Sequence, residues 1–180
     1  MFYSVFYLNN PSRPHIRVRP EAIDWIIEAL ALICLVVMFI LPVLSFSDLP
    51  DEIPTHFNAA GEPDAFSPAK SIWTLPVTGL ITWILLTLAG FFPRIYNYPV
   101  QITPENAGAQ YRTATRLMRT IKCIVVAMFA FMVHRTILTA LGKAEGMGKV
   151  FLPVSMVILS GATIFYIVSA LNQKHKNDPV

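Results

Sequence analysis

Charged residues are scarce in this sequence: they make up 14% of its 180 residues, whereas 54% are hydrophobic and the mean hydropathy is +0.54. Soluble chains carry about 25% charged residues, and a small soluble fold would leave too much of this apolar surface in water. Two cysteines are too few for a disulfide scaffold, and the apolar content excludes a disordered chain. The net charge of only +3 argues against a nucleic-acid-binding protein. The composition therefore indicates an integral membrane protein.

Four apolar segments are long enough to cross a membrane, which takes about 20 residues in a helix. They cover residues 23–46, 71–92, 121–142 and 150–171. We therefore predict an all-α membrane protein with four transmembrane helices. Cys34 and Cys123 lie at different predicted depths, so we expect no disulfide between them.

Lysine and arginine set the predicted orientation, because cytoplasmic loops are enriched in them. Only three of these residues flank the spans on the predicted outer side, namely Lys70, Lys143 and Lys149. Ten lie on the other side, namely Arg13, Arg17, Arg19, Arg94, Arg112, Arg116, Arg119, Lys122, Lys174 and Lys176. This asymmetry predicts cytoplasmic N- and C-termini and a multi-pass protein of a bacterial cytoplasmic (inner) membrane.

The chain divides into one membrane domain and two tails. We predict a cytoplasmic juxtamembrane tail over 1–20, with an aromatic segment at 1–8, and a second cytoplasmic tail over 173–180. Between them, residues 21–172 form a single four-helix domain. It includes an acidic outer loop at 47–70 and a cytoplasmic interface helix at 103–120.

The outer loop concentrates polar chemistry between four prolines, each of which restricts the backbone. Gly61 is expected at a positive φ within a turn, and the second helix is expected to begin at Pro68. The loop residues predicted to contact a ligand or partner are Asp51, Glu52, His56, Phe57, Gly61, Asp64 and Lys70.

Three interpretations of this loop remain open. In the first, the loop carboxylates and His56 hold a metal ion, since all of them are acceptable metal ligands. The loop has one histidine and no second one at the spacing of a metal-binding motif, so the sequence does not decide whether a metal site exists. A ligand-binding or proton-sensitive loop is the second interpretation. In the third, the role of these residues is purely structural. His56 and Asp64 hydrogen-bond the loop backbone, Lys70 pairs with an acidic neighbour, and the contacts stabilise the closed loop.

The loop also resembles a known sequence pattern. Its residues spell L-P-x-x-I-P-x-H-F-x-x-x-G-x-x-D from Leu49 to Asp64, and Lys70 follows before the second helix. This is similar to a bacterial membrane domain of unknown function found in immunity proteins against the sporulation-delaying peptide toxin. The segment 97–119, with its T-P-E-N-A and Q-Y-R elements, resembles the same domain. The resemblance implies a membrane protein that recognises a peptide at its outer face.

The cytoplasmic loop carries a predicted helix start at Thr103 and Pro104. Arg112, Arg116 and Arg119 then recur at i, i+4 and i+7, which places them on one helix face. We predict an amphipathic helix at the inner leaflet whose arginines face lipid headgroups. An anionic lipid or nucleotide site built from these arginines is the alternative.

Ionisable residues inside predicted spans are candidates for function. Glu28 lies near the inner end of the first span, where Lys122 is its expected partner. His134 and Arg135 lie deeper in the third, and Arg135 is expected to reach Asp48, Asp51 or Glu52 in the outer loop. The alternative is an outward polar cavity lined by His134, Arg135, His56 and the loop carboxylates.

These features support three hypotheses for function. The preferred one is a non-enzymatic protein that recognises a peptide, lipid or partner protein through the outer loop. The second is an accessory subunit of a larger membrane complex, and the third a metal-dependent membrane hydrolase with His56 or His134 as base or ligand. No catalytic residues are assigned and no cofactor is expected. The expected partners are membrane lipids, a peptide or protein at the outer face, or a larger complex, and not nucleic acid.

Overall fold

The computed structural model describes residues 13–177, with side chains as far as residue 173. It contains four long helices, α1 (Ala22–Ser45), α2 (Thr74–Ala89), α3 (Ala107–Ala140) and α4 (Phe151–Asn177). The predicted four-helix architecture is confirmed. The aromatic segment 1–8 and the last residues of the predicted C-terminal tail, 178–180, lie outside the described residues.

The loop between α1 and α2 contains a β-hairpin that the sequence analysis did not predict. Its strands are β1 (Glu52–Phe57) and β2 (Pro63–Pro68), which pair antiparallel with Ile53 opposite Ser67 and His56 opposite Ala65. The register shifts around His56 mark bulges in the ladder. Pro68 ends β2, and a 3₁₀ turn at Ala69–Trp73 leads into α2. The helical segment therefore begins directly after Pro68, close to the expected start, but its first turns are 3₁₀ and not α-helical.

Helix α3 is the central element, since α1, α2, α4 and β1 all pack against it. With 34 residues it is about 51 Å long at 1.5 Å per residue, well beyond the roughly 30 Å of hydrocarbon in a bilayer. The predicted interface helix 103–120 is not separate: from Ala107 it is the first part of α3, which continues without a break into the third span.

The main core lies between α1, α3 and the hairpin base. Its buried members include Met38 from α1, Ile53 from β1, and Val126 and Val133 from α3. Helix α2 approaches α1 closely at Gly79, where an added Cβ would lie 2.3 Å from the Met38 Cε atom. Glycine at this position therefore permits the packing of Met38.

The helices begin and end at two common ends of the bundle. We call the end with the hairpin and the loop 141–150 the hairpin end. The opposite end, where α1 and α3 begin and α2 and α4 finish, is the arginine end. There the Gln110 side chain donates to the Ala170 carbonyl across 2.9 Å, which joins α3 to the last part of α4.

A tyrosine cluster closes the loop between α2 and α3 at the arginine end. The Tyr98 ring stacks with that of Tyr96 and lies tilted against that of Tyr111. Its hydroxyl donates to the Pro93 carbonyl at 2.8 Å. The Tyr96 hydroxyl donates to the Ala89 carbonyl at 2.7 Å, and burial raises the pKa of Tyr96 to about 12. These phenols therefore serve as neutral hydrogen-bond donors.

Candidate functional site

The hairpin is seated on the bundle by the buried face of β1. Ile53 is 0% exposed and packs in the core with Ile72 and Val133. The Ala69 amide donates to the Asp51 carbonyl at 2.8 Å, which closes the hairpin base. Burial on one side and backbone bonding at the base give the hairpin a defined position.

The hairpin turn is built around Asn58 and Gly61. The Asn58 side-chain oxygen accepts from the Ala60 and Glu62 amides at 2.9 and 3.0 Å, the asparagine chemistry that favours turns. Gly61 has φ = +79°, as predicted, a conformation that other residues rarely adopt.

The second loop, 141–150, clamps this turn from the other side. The Met147 amide donates to the Gly61 carbonyl at 2.7 Å. The Arg135 side chain donates from Nε to the Gly146 carbonyl at 2.8 Å, and its Nη2 donates to the same oxygen. Arg135 thus fixes the second loop, and the second loop in turn fixes the hairpin turn. Its predicted partners Asp48, Asp51 and Glu52 are wrong, because a backbone carbonyl of the second loop is nearer to its own helix.

The residues predicted to contact a ligand or partner form two groups: some support the hairpin turn, and the others lie on the exposed face of the hairpin. Gly61 is buried and Phe57 half-buried, whereas Asp51, Glu52, His56, Asp64 and Lys70 are exposed.

The His56 Nδ1 atom lies 2.5 Å from the Asp64 carboxylate across the two strands. The two side chains therefore bond each other, and the expectation that they bond loop backbone is wrong. Lys70 has no carboxylate within ion-pair distance in the described part of the chain, so its expected ion pair is not found.

The metal-site and polar-cavity interpretations can be compared with the positions of the side chains that they require. Over the residues that the structure describes, no three His, Cys, Asp or Glu side chains gather where they could hold a metal ion. A cavity of about 240 Å³ does lie beneath the hairpin, but its polar side chains are hydroxyls of Thr55, Ser67, Ser71, Thr74 and Thr136. The proposed outward cavity lined by histidines, Arg135 and carboxylates is therefore not formed there, and His134 is exposed on α3.

The arginine end holds an ionic network between α1 and α3. Arg116 donates from Nε to the Asp24 carboxylate at 2.9 Å and from Nη2 to the Glu21 carboxylate at 2.7 Å. Arg112 pairs with Glu21 as well. Arg112 and Arg116 thus pair with carboxylates that precede or begin α1, while 51% of the Arg112 side chain remains exposed. That these arginines and Arg119 face lipid headgroups stays a prediction. The hydrogen bond from Arg116 is the main reason that the pKa of Glu21 lies below its ordinary value.

The network continues one turn deeper along the same interface. Lys122 is 1% exposed, and its Nζ atom lies 2.6 Å from the Glu28 carboxylate, 2.8 Å from the Thr87 hydroxyl and 5.0 Å from the centre of the Trp83 ring. The predicted Glu28–Lys122 pair is confirmed. The Arg119 side chain, 17% exposed, lies 3.4 Å from Glu28 and 3.5 Å from Asp24.

Glu21, Thr87 and Trp83 were not among the predicted site residues. For Glu21 a signal existed: Glu21, Asp24 and Glu28 recur at i, i+3 and i+7, and the arginines recur with a matching helical spacing. Two complementary stripes at the same predicted membrane end indicate that the helices face each other. Thr87 and Trp83 lie on an apolar helix, where the sequence offers no comparable signal.

Four helices of the structure are long and apolar enough to cross a membrane. They define the class: a polytopic membrane protein. Residues 33–80, about a quarter of the chain, match the family model described as a domain of unknown function (DUF1648). That match covers the second half of α1, the whole hairpin and the first part of α2.

A similar curated protein is an uncharacterised protein of Archaeoglobus fulgidus. It is 35% identical over 78 residues, which cover 39% of this chain and 43% of that protein. The chain therefore aligns with less than half the length of this relative. No solved structure matches the chain.

Proposed function

We propose that this protein is a non-enzymatic protein of a cell's cytoplasmic membrane that recognises a basic peptide or protein segment at the exposed face of its hairpin. The observation that carries the proposal is a hairpin fixed to the bundle from below while its carboxylates remain exposed. Buried Ile53 and the clamp at Gly61 hold the backbone, and Asp51 and Glu52 extend from it into solvent.

Fixing the backbone in advance lowers the conformational entropy that binding would otherwise cost. The loop 47–70 carries five exposed carboxylates against the single Lys70, so a basic partner would be attracted and oriented by charge. Phe66 is exposed on β2 beside these charges, and an aromatic side chain is a common anchor in binding sites. Acidic groups around an aromatic anchor suit a segment that is both basic and apolar.

The similarity to immunity proteins against the sporulation-delaying peptide toxin makes a membrane-active peptide one candidate partner. A peptide of that kind approaches the membrane surface, which is where the hairpin would stand. We propose an immunity-like or sensor-like role in a bacterial membrane on this basis, with the hairpin on the outer side.

A photo-crosslinking amino acid at position 66 tests the proposal in living cells. The matched control carries the same crosslinker at Leu85, which is exposed on α2 and lies outside both the hairpin and the α4 surface. We expect a defined adduct from position 66 only, and its loss when D51K and E52K are combined. An adduct that persists after this charge reversal, or none from position 66, would contradict recognition through the acidic face.

Protection from the toxin tests the immunity role separately. Expression of the chain in a toxin-sensitive bacterium should restore growth, and expression of the D51K/E52K variant at equal membrane level should not. Equal sensitivity with and without the wild-type chain would exclude this role while leaving recognition of another partner to the crosslinking result.

A second candidate, an accessory subunit of a membrane complex, is favoured by the packing of α4. This helix lies chiefly against α3, and its remaining faces expose large apolar side chains such as Val157 and Phe165. A partner helix could cover them as lipid does. Extraction in a mild detergent followed by mass spectrometry should then recover other chains in fixed ratio, whereas a chain that emerges alone would count against this candidate.

A further inference from the structure

A cavity of about 260 Å³ opens between α1, α2 and α3 at the arginine end. Glu28, Arg119 and Lys122 contribute to its polar lining, and Trp83 lies beside them. Pro20 and Gly90, which stand at the start of α1 and the end of α2, also border it. The cavity therefore lies where the spans reach the end of the bundle, at the level expected for lipid headgroups.

Charge at this cavity is unbalanced in favour of cations. The residues that line it carry one carboxylate, on Glu28, and two basic side chains, on Arg119 and Lys122. Arg112 and Arg116 do not line the cavity and pair with the carboxylates of Glu21 and Asp24. One positive charge is thus in excess. Uncompensated charge is costly where water is scarce, and a singly charged anion in the cavity would balance it.

Two hydrogen-bond donors beside the cavity lack acceptors. The Trp83 Nε1 and Arg119 Nη1 atoms are buried and donate no hydrogen bond among the described residues, although Arg119 Nη1 stands 3.5 Å from Asp24. Buried donors are nearly always satisfied in folded proteins. Phosphate oxygens are strong acceptors, and they pair well with arginine and lysine.

The rim of the cavity is apolar and exposed. Trp25 of α1 and Phe91, just beyond α2, border it and lie largely open to the surroundings. Aromatic side chains with this placement are typical of the boundary between headgroups and acyl chains. A cationic base with an aromatic rim matches a molecule that has an anionic head and an apolar body.

We propose that this cavity is a binding site for the phosphodiester group of an anionic phospholipid, with Arg119 and Lys122 contacting the phosphate and Trp25 and Phe91 contacting the acyl chains. A single phosphodiester supplies one negative charge, which equals the excess positive charge of the residues that line the cavity. The site is independent of the hairpin and lies at the opposite end of the bundle.

Native mass spectrometry of the purified full chain, with phosphatidylglycerol and phosphatidylcholine offered in turn, tests the proposal. We expect one phosphatidylglycerol to bind at least about tenfold more tightly than phosphatidylcholine, the factor that one lost charged contact of about 1.4 kcal/mol would give. R119Q should reduce that preference to about twofold or less. The matched control R112Q removes an arginine that pairs with Glu21 and does not line the cavity, so it should retain the preference.

L86W keeps every charge and fills the cavity from the lining residue Leu86, so it decides the question if R119Q fails to fold. It should also lose the tightly bound lipid. Equal affinity for both lipids, or wild-type affinity in both R119Q and L86W, would overturn the site. Water-soluble glycerophosphoglycerol should compete poorly; competition as strong as that of the intact lipid would show a free-anion site and overturn the lipid proposal.

Discussion

At the scale of single residues, the buried Lys122 determines how tightly α1, α2 and α3 are joined. Its ammonium contacts Glu28 on α1 and Thr87 on α2. We predict that K122M destabilises the protein by about 1–3 kcal/mol, less than the 3–5 kcal/mol typical of a broken buried pair, because Arg119 stands 3.4 Å from Glu28 and compensates in part. Unfolding by SDS in mixed micelles, followed by circular dichroism, measures the change.

The double variant E28Q/K122M separates lost packing from an orphaned charge. Removing both charges takes away the uncompensated carboxylate, so we expect part of the stability to return. A double variant no more stable than K122M would mean that Glu28 does not need its lysine.

Glu21 should contribute a pH-dependent part of the stability. Its folded pKa is lowered from 4.5, mainly by the hydrogen bond from Arg116. The contribution is therefore fully present above 4.5 and is lost as the pH falls through the lower folded value. We expect thermal unfolding in detergent to show a smaller loss of stability below pH 4.5 in E21Q than in the wild type.

E62Q is the matched control, because Glu62 lies on the hairpin and outside the ionic network. It should retain the acid-induced loss of the wild type. An E21Q profile that follows the wild type over the whole acid range would show that Glu21 and Arg116 are not coupled.

At the scale of elements, the hairpin depends on a close approach of two glycines. An alanine Cβ at position 61 would lie 2.7 Å from the Gly148 carbonyl oxygen, and φ there is +79°. We predict that G61A costs about 1–3 kcal/mol, the usual range for a strained backbone, and that limited proteolysis cuts the loops at the hairpin end faster.

G161A is the matched control for this variant. Gly161 lies in α4, where an added Cβ meets nothing within 4 Å, and alanine is the better helix former. Its stability should equal or slightly exceed that of the wild type. Equal proteolysis rates for G61A and the wild type would show that the second loop does not clamp the hairpin.

The hairpin also shows why sequence patterns alone did not predict every element. Pro54 stands within β1 and Pro63 and Pro68 bound β2, and proline normally argues against a strand. The strands form because Ile53 gains a place in the core and because a two-stranded edge tolerates missing amides. Burial does not alternate along β1, because Ile53 and the adjacent Pro54 are both buried, so the strand lacks the two-residue period that would have revealed it.

At the scale of the whole molecule, the long apolar runs predicted the four helices well, since length and hydropathy decide which segments cross a membrane. Which helices pack together, and through which faces, was harder to predict from the sequence. Glu28 and Lys122 were matched correctly by predicted depth. Arg116 was instead predicted to face lipid headgroups, because the sequence alone does not show which neighbouring helix a given helix face contacts. Contacts between distant segments, such as that of Asp24 with Arg116, depend on this packing.

The orientation of the bundle in the membrane follows from the same charges and is open to direct measurement. Arg13, Arg17 and Arg19 lie at the arginine end together with Arg112 and its neighbours. Ion pairing with carboxylates does not weaken this signal, because orientation depends on the number of lysines and arginines and little on acidic residues. We therefore predict that the hairpin faces outward.

Single cysteines test this prediction in a C34A/C123A background, which removes both native thiols. Ala59 is exposed in the hairpin turn and Gln101 is exposed at the arginine end, so neither substitution disturbs the core. A membrane-impermeant maleimide should label A59C in intact cells and Q101C only after permeabilisation. The opposite result would reverse the orientation, and it would also remove the hairpin from any partner that arrives from outside. The arginine-end cavity would then lie at the outer leaflet, where its phospholipid could still bind, so this experiment separates the fate of the two proposed sites.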